Sequence, residues 1–253
     1  MGKPKLTPFT DRFAPTYLSI KRMKLKYYLF LSLILLKTSV CAQEVFIVKG
    51  NVQFRSDTSA AVQPLTTSGL DTSPTISPDH EWVAFIRRTP KNFISTGAGD
   101  EEAHELWVVK IDGTDSRKLV GGRQANKMEN VLAGLANPQF SPDGRNIYFE
   151  SAAWATSGAI HVVDRNTGAE HFVCSGSLIS IVPRGNYIGH LIVSQHRYFL
   201  VGGSYDWIWL LSAAGQEVGP LGDSDSSDVS KILHDFQELF VDPQPSHVKQ
   251  SPP

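Results

Sequence analysis

The stretch Asn137-Pro138-Gln139-Phe140-Ser141-Pro142-Asp143-Gly144-Arg145-Asn146-Ile147-Tyr148-Phe149-Glu150 decides the fold, because it is the second copy of a repeat. It aligns without a gap on Ser73-Pro74-Thr75-Ile76-Ser77-Pro78-Asp79-His80-Glu81-Trp82-Val83-Ala84-Phe85-Ile86. Both read x-Pro-x-apolar-Ser-Pro-Asp-x-x-x-apolar-x-aromatic. Ser-Pro-Asp-Gly is a turn: proline presets φ, and the aspartate carboxylate accepts from its own backbone two residues on. The residues on either side alternate as half-buried strands do. His80 stands where the second copy has Gly144, so the first turn is expected to be the looser one.

Each copy runs on into a second hairpin. In the first, 105–111 is followed by the Asp112-Gly113 turn and a short strand ending near Leu119 and Val120. In the second, 159–163 is followed by a turn over 164–168 and a strand over 169–173. Asp-Gly and Asn-Thr-Gly are hairpin-turn chemistry. A third, degenerate unit places its strands at 178–185, 187–197, 207–211 and 217–221, and two strands of a partial unit precede the first copy at 45–48 and 52–54. Units of four short strands at this spacing have the size of one propeller blade.

The motif resembles the PD40 (WD40-like) repeat of the TolB family, whose pattern is Leu-Thr, a spacer, Pro, Ser-Pro-Asp-Gly, then an apolar strand ending in an aromatic. Leu65-Thr66 with 73–85, and 137–149, carry that resemblance, which spans roughly 44–222. It implies an all-β fold: a β-propeller-like array of about 3 to 4 four-stranded blades. Past Gly222 a polar link leads to Ile232, Leu233, Phe236, Leu239 and Phe240 at helical spacing behind a candidate Asp228 cap. That predicts one C-terminal amphipathic helix within 223–242, its apolar face packed on the blades, and a disordered tail over 243–253.

Ahead of the blades lies an address. Lys24 and Lys26, an apolar run over 27–36 and the small residues before Ala42 form the three-part layout of a secretory signal peptide over 23–42, with cleavage expected before Gln43. The apolar run is too short for a membrane-spanning helix, which needs about 20 residues. Thr38-Ser39-Val40 before Cys41 departs from a lipoprotein signal, and 1–22 read as an upstream extension from a start placed too early. The domain over 43–222 is therefore expected to be periplasmic or secreted. Cleavage leaves Cys174 as the lone thiol, a small buried apolar residue rather than a redox or zinc ligand.

Lys and Arg number 24 against 25 Asp and Glu, which gives no basic surface for nucleic acid. The histidines show no metal-ligating spacing, and Asp223, Asp225 and Asp228 lack the glycine and distal glutamate of a calcium loop, so no metal and no cofactor is expected. Gly202-Gly203-Ser204-Tyr205-Asp206 approaches a nucleophile elbow, but Asp206 stands where a small residue is required, and too little chain follows for a hydrolase sheet. The least ordinary segment is Gln195, His196, Arg197 and Tyr198 followed, across a glycine bend, by Ser204, Tyr205, Asp206 and Trp207. Tyr, Trp and Arg are types enriched at binding hot spots. Against binding stands a plain alternative, an Arg197–Asp206 ion pair among core aromatics.

The TolB resemblance implies a non-catalytic scaffold for a protein or peptide partner in the cell envelope, without a stable membrane anchor and with a homodimer as one route to completing the blades. A hydrolase or lyase centred on His196 and Arg197, and a small-ligand or glycan sensor, are the alternatives.

Overall fold

The computed structural model describes residues 43–224 and 229–242; the leader, Asp225, Asp228 and the tail lie outside them. Four antiparallel sheets follow one another along the chain, each a meander in which neighbours in sequence are neighbours in space. Blade 1 has three strands: β1 (Glu44–Val48), β2 (Asn51–Arg55) and the two-residue β3 (Gln63–Pro64). Blade 2 begins with β4 (Asp71–Ile76) and β5 (Trp82–Arg87). A separate hairpin, β6 (Phe93–Thr96) and β7 (Gly99–Glu102), is inserted before β8 (Glu105–Lys110) and β9 (Arg117–Gly121) complete the sheet. Blade 3 is β10 (Ala136–Phe140), β11 (Asn146–Ser151), β12 (Ala159–Asp164) and β13 (Glu170–Ser175). Blade 4 is β14 (Ser177–Ile181), β15 (Leu191–Tyr198), β16 (Ser204–Leu211) and β17 (Glu217–Asp223).

Strand alternation sends one set of side chains to each face of a sheet, and here both sets are apolar. Val83 and Phe85 of β5 join Val52 and Phe54 of blade 1, whereas Trp82, Ala84 and Ile86 join Ile147 and Phe149 of blade 3. Tyr148, between those two on β11, points the other way and packs with Leu191, Val193 and Leu211 of blade 4. The sheets therefore stack in chain order, and the first strands β1, β4, β10 and β14 touch in succession. Middle strands buried on both faces read as continuous apolar runs.

The two repeat motifs have the same hydrogen bonds. In the second, Ser141 Oγ donates to Asp143 at 2.5 Å, the Asp143 carboxylate accepts from the Arg145 amide at 3.1 Å, and the Asn146 amide donates to Ser141 Oγ at 2.9 Å. In the first, Ser77 donates to Asp79, the Glu81 amide to Asp79 at 3.1 Å, and the Trp82 amide to Ser77 Oγ at 2.9 Å. His80 takes a φ of 60° where Gly144 has 68°, so the first turn is as tight as the second. The expected loosening does not occur, because these bonds hold a non-glycine residue in the left-handed region at a cost of about 1–2 kcal/mol. The leading Ser-Pro and Asn-Pro mark a bulge in the inner strand: Ser73 and Asn137 have positive φ, and the pairing slips between Thr72 and Thr75 and between Ala136 and Gln139. Proline, which has no N–H to donate, sits where the ladder is already broken.

Strand bounds in blade 4 differ from those expected. The second strand of blade 4 begins at Leu191, not Tyr187: Gly185 and Gly189, with φ of 84° and 79°, turn the chain, and the Tyr187 ring packs edge-on against His190 and Phe240. A Cβ on Gly185 would lie 2.5 Å from the Phe240 carbonyl oxygen, so that turn requires glycine. The β6–β7 hairpin was not anticipated at all.

The ends of the stack are closed differently. Blade 1 turns outward the face carrying Glu44, Phe46 and Arg55, where Arg55 pairs with Glu44 and lies over the Phe46 ring at 5.7 Å. Blade 4 is covered by α1 (Val229–Phe236), whose Phe236, with Ile232 and Leu233, packs on Ile192, Ile208 and Leu210. A π-helical turn (Gln237–Val241) follows, closed by the Asp242 amide to the Gln237 carbonyl at 2.8 Å. Its extra residue per turn brings Val241 to the sheet and leaves Leu239 65 % exposed, so the apolar face is not the one that plain helical spacing predicts. Among the described residues no helix is long and apolar enough to cross a membrane.

Cutting Phe236 to alanine opens the cap of blade 4 and is expected to lower unfolding free energy by about 3 kcal/mol. Leu239→Ala should change it by less than about 0.5 kcal/mol. Urea unfolding of both variants measures the difference, and equal effects would contradict the packing.

Candidate functional site

Strands β15 and β16 are eight residues each, longer than any other strand described here, and their hairpin runs past the body of blade 4. Its register sets Gln195 opposite Trp207, His196 opposite Asp206, Arg197 opposite Tyr205 and Tyr198 opposite Ser204. The bend closes through the Phe199 amide to the Gly203 carbonyl at 3.0 Å and the Gly202 amide to the Phe199 carbonyl at 3.1 Å. Gly202 and Gly203 hold φ of 97° and 86°, which accounts for the glycine pair.

Opposed residues share a face, so the segment divides into two sets. On the α1 side, His196 Nδ1–H donates to the Asp206 carboxylate at 2.9 and 3.1 Å, and the Tyr198 ring stands edge-on to the imidazole at 5.0 Å. On the blade 3 side, the Arg197 guanidinium lies 3.7 Å from the Trp209 ring centre and donates to Gln195 Oε1 at 2.5 Å and Glu217 at 2.6 Å. Gln195 in turn donates to the Ser175 carbonyl of blade 3 at 2.7 Å. Phe199, Tyr205, Trp207 and Trp209 continue this face as a ladder of rings, with centroids 4.6, 5.7 and 6.4 Å apart.

The Arg197–Asp206 pair expected from the sequence is absent. Positions 197 and 206 fall on opposite faces of the hairpin, so Asp206 takes His196 and Arg197 takes Glu217. Ser204 opens a strand of an antiparallel hairpin rather than a strand-to-helix turn, which removes the geometry of a nucleophile elbow. No three His, Cys, Asp or Glu side chains gather to hold a metal among the described residues. Cys174 is buried, and burial pushes its thiol up to about 12, against the nearby Arg197 charge, so it is inert in the folded chain.

No family model and no curated protein matches the chain. Solved structures similar to it include TolB from Acinetobacter baumannii, at 14% identity over 72% of this chain and 40% of that one, with a TM-score of 0.46. An oligogalacturonate lyase from Vibrio parahaemolyticus is similar at 14% over 70% of this chain and 43% of that one, TM-score 0.46. The β-propeller domain of the trilobed protease from Pyrococcus furiosus is similar at 13% over 64% and 45%, TM-score 0.44. The chain spans less than half the length of each of these proteins. Its own sheets form a β-propeller-like array. The blades stand on their own strand order, register and stacking.

One further constellation in this propeller went unnoticed in the sequence. His161, fully buried on β12, donates from Nδ1 to Glu170 Oε1 at 2.7 Å, and Glu170 Oε2 meets the Arg123 guanidinium at 2.9 Å. The imidazole stacks on Phe149 at 5.5 Å and meets Phe172 edge-on at 5.8 Å. Burial would raise the Glu170 carboxyl, but the His161 hydrogen bond and the His161 and Arg123 charges hold it below its ordinary value. With His161 and Glu170 buried and Arg123 half-exposed at its outer end, the group is a strut. A histidine inside the otherwise apolar run of β12 was the available signal.

A depressed carboxylate stabilises the fold above its ordinary value of 4.5 and loses that contribution as pH falls through the lower folded value. Glu170→Gln is expected to cost about 2 kcal/mol at neutral pH. It should also flatten the fall of stability on acidification below pH 4.5, as read from denaturant midpoints against pH. A variant that loses stability on acidification as steeply as the wild type would contradict the strut.

Proposed function

We propose that the chain is an exported, non-catalytic binding module of the cell envelope that takes a protein or peptide along the ring ladder of the β15–β16 hairpin. The observation that carries this reading is the hairpin itself: Trp207 is 38 % exposed with half-buried Tyr205 beside it, while Arg197 is held by Glu217, Gln195 and the face of Trp209. Rings and a stacked guanidinium offer large contact area at low cost in side-chain entropy. Gln195 is buried on the ladder's face, and His196, Tyr198, Ser204 and Asp206 form a second, opposite face of the same two strands. The export half of the proposal rests on the leader over 23–42.

One observation favours a second reading, a hydrolase or lyase. The Asp206 carboxylate fixes the tautomer of His196 and leaves Nε2 as a base. Against it, no group of three His, Cys, Asp or Glu side chains that could hold a metal accompanies the pair among the described residues.

Peptides selected from a displayed random library on the mature chain provide the probe. Tyr205→Ala with Trp207→Ala is expected to weaken their binding about 30-fold, the effect of losing about 2 kcal/mol of ring contact. Unchanged affinity would remove the ladder from the account, and turnover of a generic ester or glycan substrate abolished by His196→Ala would favour the enzyme instead.

A further inference from the structure

At the apex of the same hairpin, beyond the ladder, three apolar residues stand in solvent. Phe199 is 55 % exposed, Leu200 107 % and Val201 98 %, with Tyr198 beside them at 66 %. Scattered apolar residues on a surface need no explanation, but consecutive ones at a convex tip do. We propose that this apex is a lipid-contacting tip that seats reversibly in the interfacial layer of a bilayer. The inference goes beyond the peptide-binding reading and adds Leu200 and Val201, which the ladder does not include.

Three features point to lipid rather than protein. The first is area: three side chains present roughly 400 Å², about half of the roughly 800 Å² per partner that a stable protein interface buries. A convex wedge suits a bilayer, which deforms around it. The second is layering. Behind the apex come the Tyr198 ring and then the Tyr205 ring with Arg197 opposite it, and His196 and Trp207 follow further back. An apolar tip backed by aromatic rings is the order in which side chains partition across a membrane interface.

The third is charge. From Tyr198 through Tyr205 the chain carries no charged residue. Behind it, Arg197 is paired with Glu217 and His196 with Asp206, so neither is a free cation for anionic lipid. Seating is therefore hydrophobic and not electrostatic. The bend bonds its own Phe199 and Gly202 amides within the loop, while the remaining backbone groups of the tip need the hydrated headgroup layer, which limits the depth of entry.

Sedimentation of the mature chain with extruded vesicles of phosphatidylcholine, with and without phosphatidylglycerol, tests this. The expected result is comparable binding to both, retained at high salt, and at least about tenfold weaker for Leu200→Asp with Val201→Asp. Both positions are exposed, so the variant folds, and an unchanged melting temperature checks it. Tyr205→Ala with Trp207→Ala weakens peptide binding about 30-fold and leaves Leu200 and Val201 in place, whereas Leu200→Asp with Val201→Asp leaves the ladder rings in place, so failure of one proposal is distinguishable from failure of the other. Four outcomes would overturn the tip: no wild-type binding to either vesicle, equal binding by the aspartate variant, binding confined to phosphatidylglycerol and lost in salt, or self-association without vesicles that the aspartate variant abolishes.

Discussion

Burial of the middle sheets on both faces is the constraint on which everything else depends. Side chains at Val83 and Phe85 cannot leave blade 1 without exposing a core, and Ile86 and Phe149 hold blade 2 to blade 3 in the same way. Each interface stabilises by burial, at roughly 25 cal/mol per Å² of apolar surface, and no single sheet can supply that alone. The polar outward face of blade 1 and the α1 cover on blade 4 then do for the stack what terminal repeats do for a solenoid. Because α1 occupies the outer face of blade 4, no further sheet packs there in this arrangement.

The joints between blades reuse the repeat motif. Asn137, placed in the left-handed region by the bulge of β10, donates to the Leu178 carbonyl of blade 4 at 2.7 Å and to Glu150 at 3.1 Å. Glu150 accepts the Leu178 amide at 2.6 Å. In blade 2 the aligned residue is Ser73, and buried Asp71 two places before it accepts from Arg87 within the same sheet at 2.6 and 3.1 Å. The x-Pro element is thus more than a strand marker: it shapes the backbone that ties sheets together.

Blades 2 and 3 were legible because turn chemistry and alternation agree over the same residues, as the two copies show. Blade 4 was legible only in outline, since its first bulge has no proline and the bend before β15 is set by tertiary packing of Tyr187 on the C-terminal segment. The β6–β7 hairpin carries polar residues and little alternation, so no local signal distinguished it from loop. At the hairpin the side-chain partners were not legible. Whether Asp206 meets His196 or Arg197 depends on a one-residue register that only the paired strands define. Phe199, Leu200 and Val201 lie between the strands expected over 187–197 and 207–211, and their exposure follows from the two glycines that turn the chain just after them.

Energetic coupling across a sheet interface tests the stacking most directly. In a double-mutant cycle with Ile86→Val and Phe149→Leu, which share the core between blades 2 and 3, the stack predicts a coupling of at least about 0.5 kcal/mol in urea unfolding. Strict additivity of the two substitutions would mean that these sheets are not packed against each other.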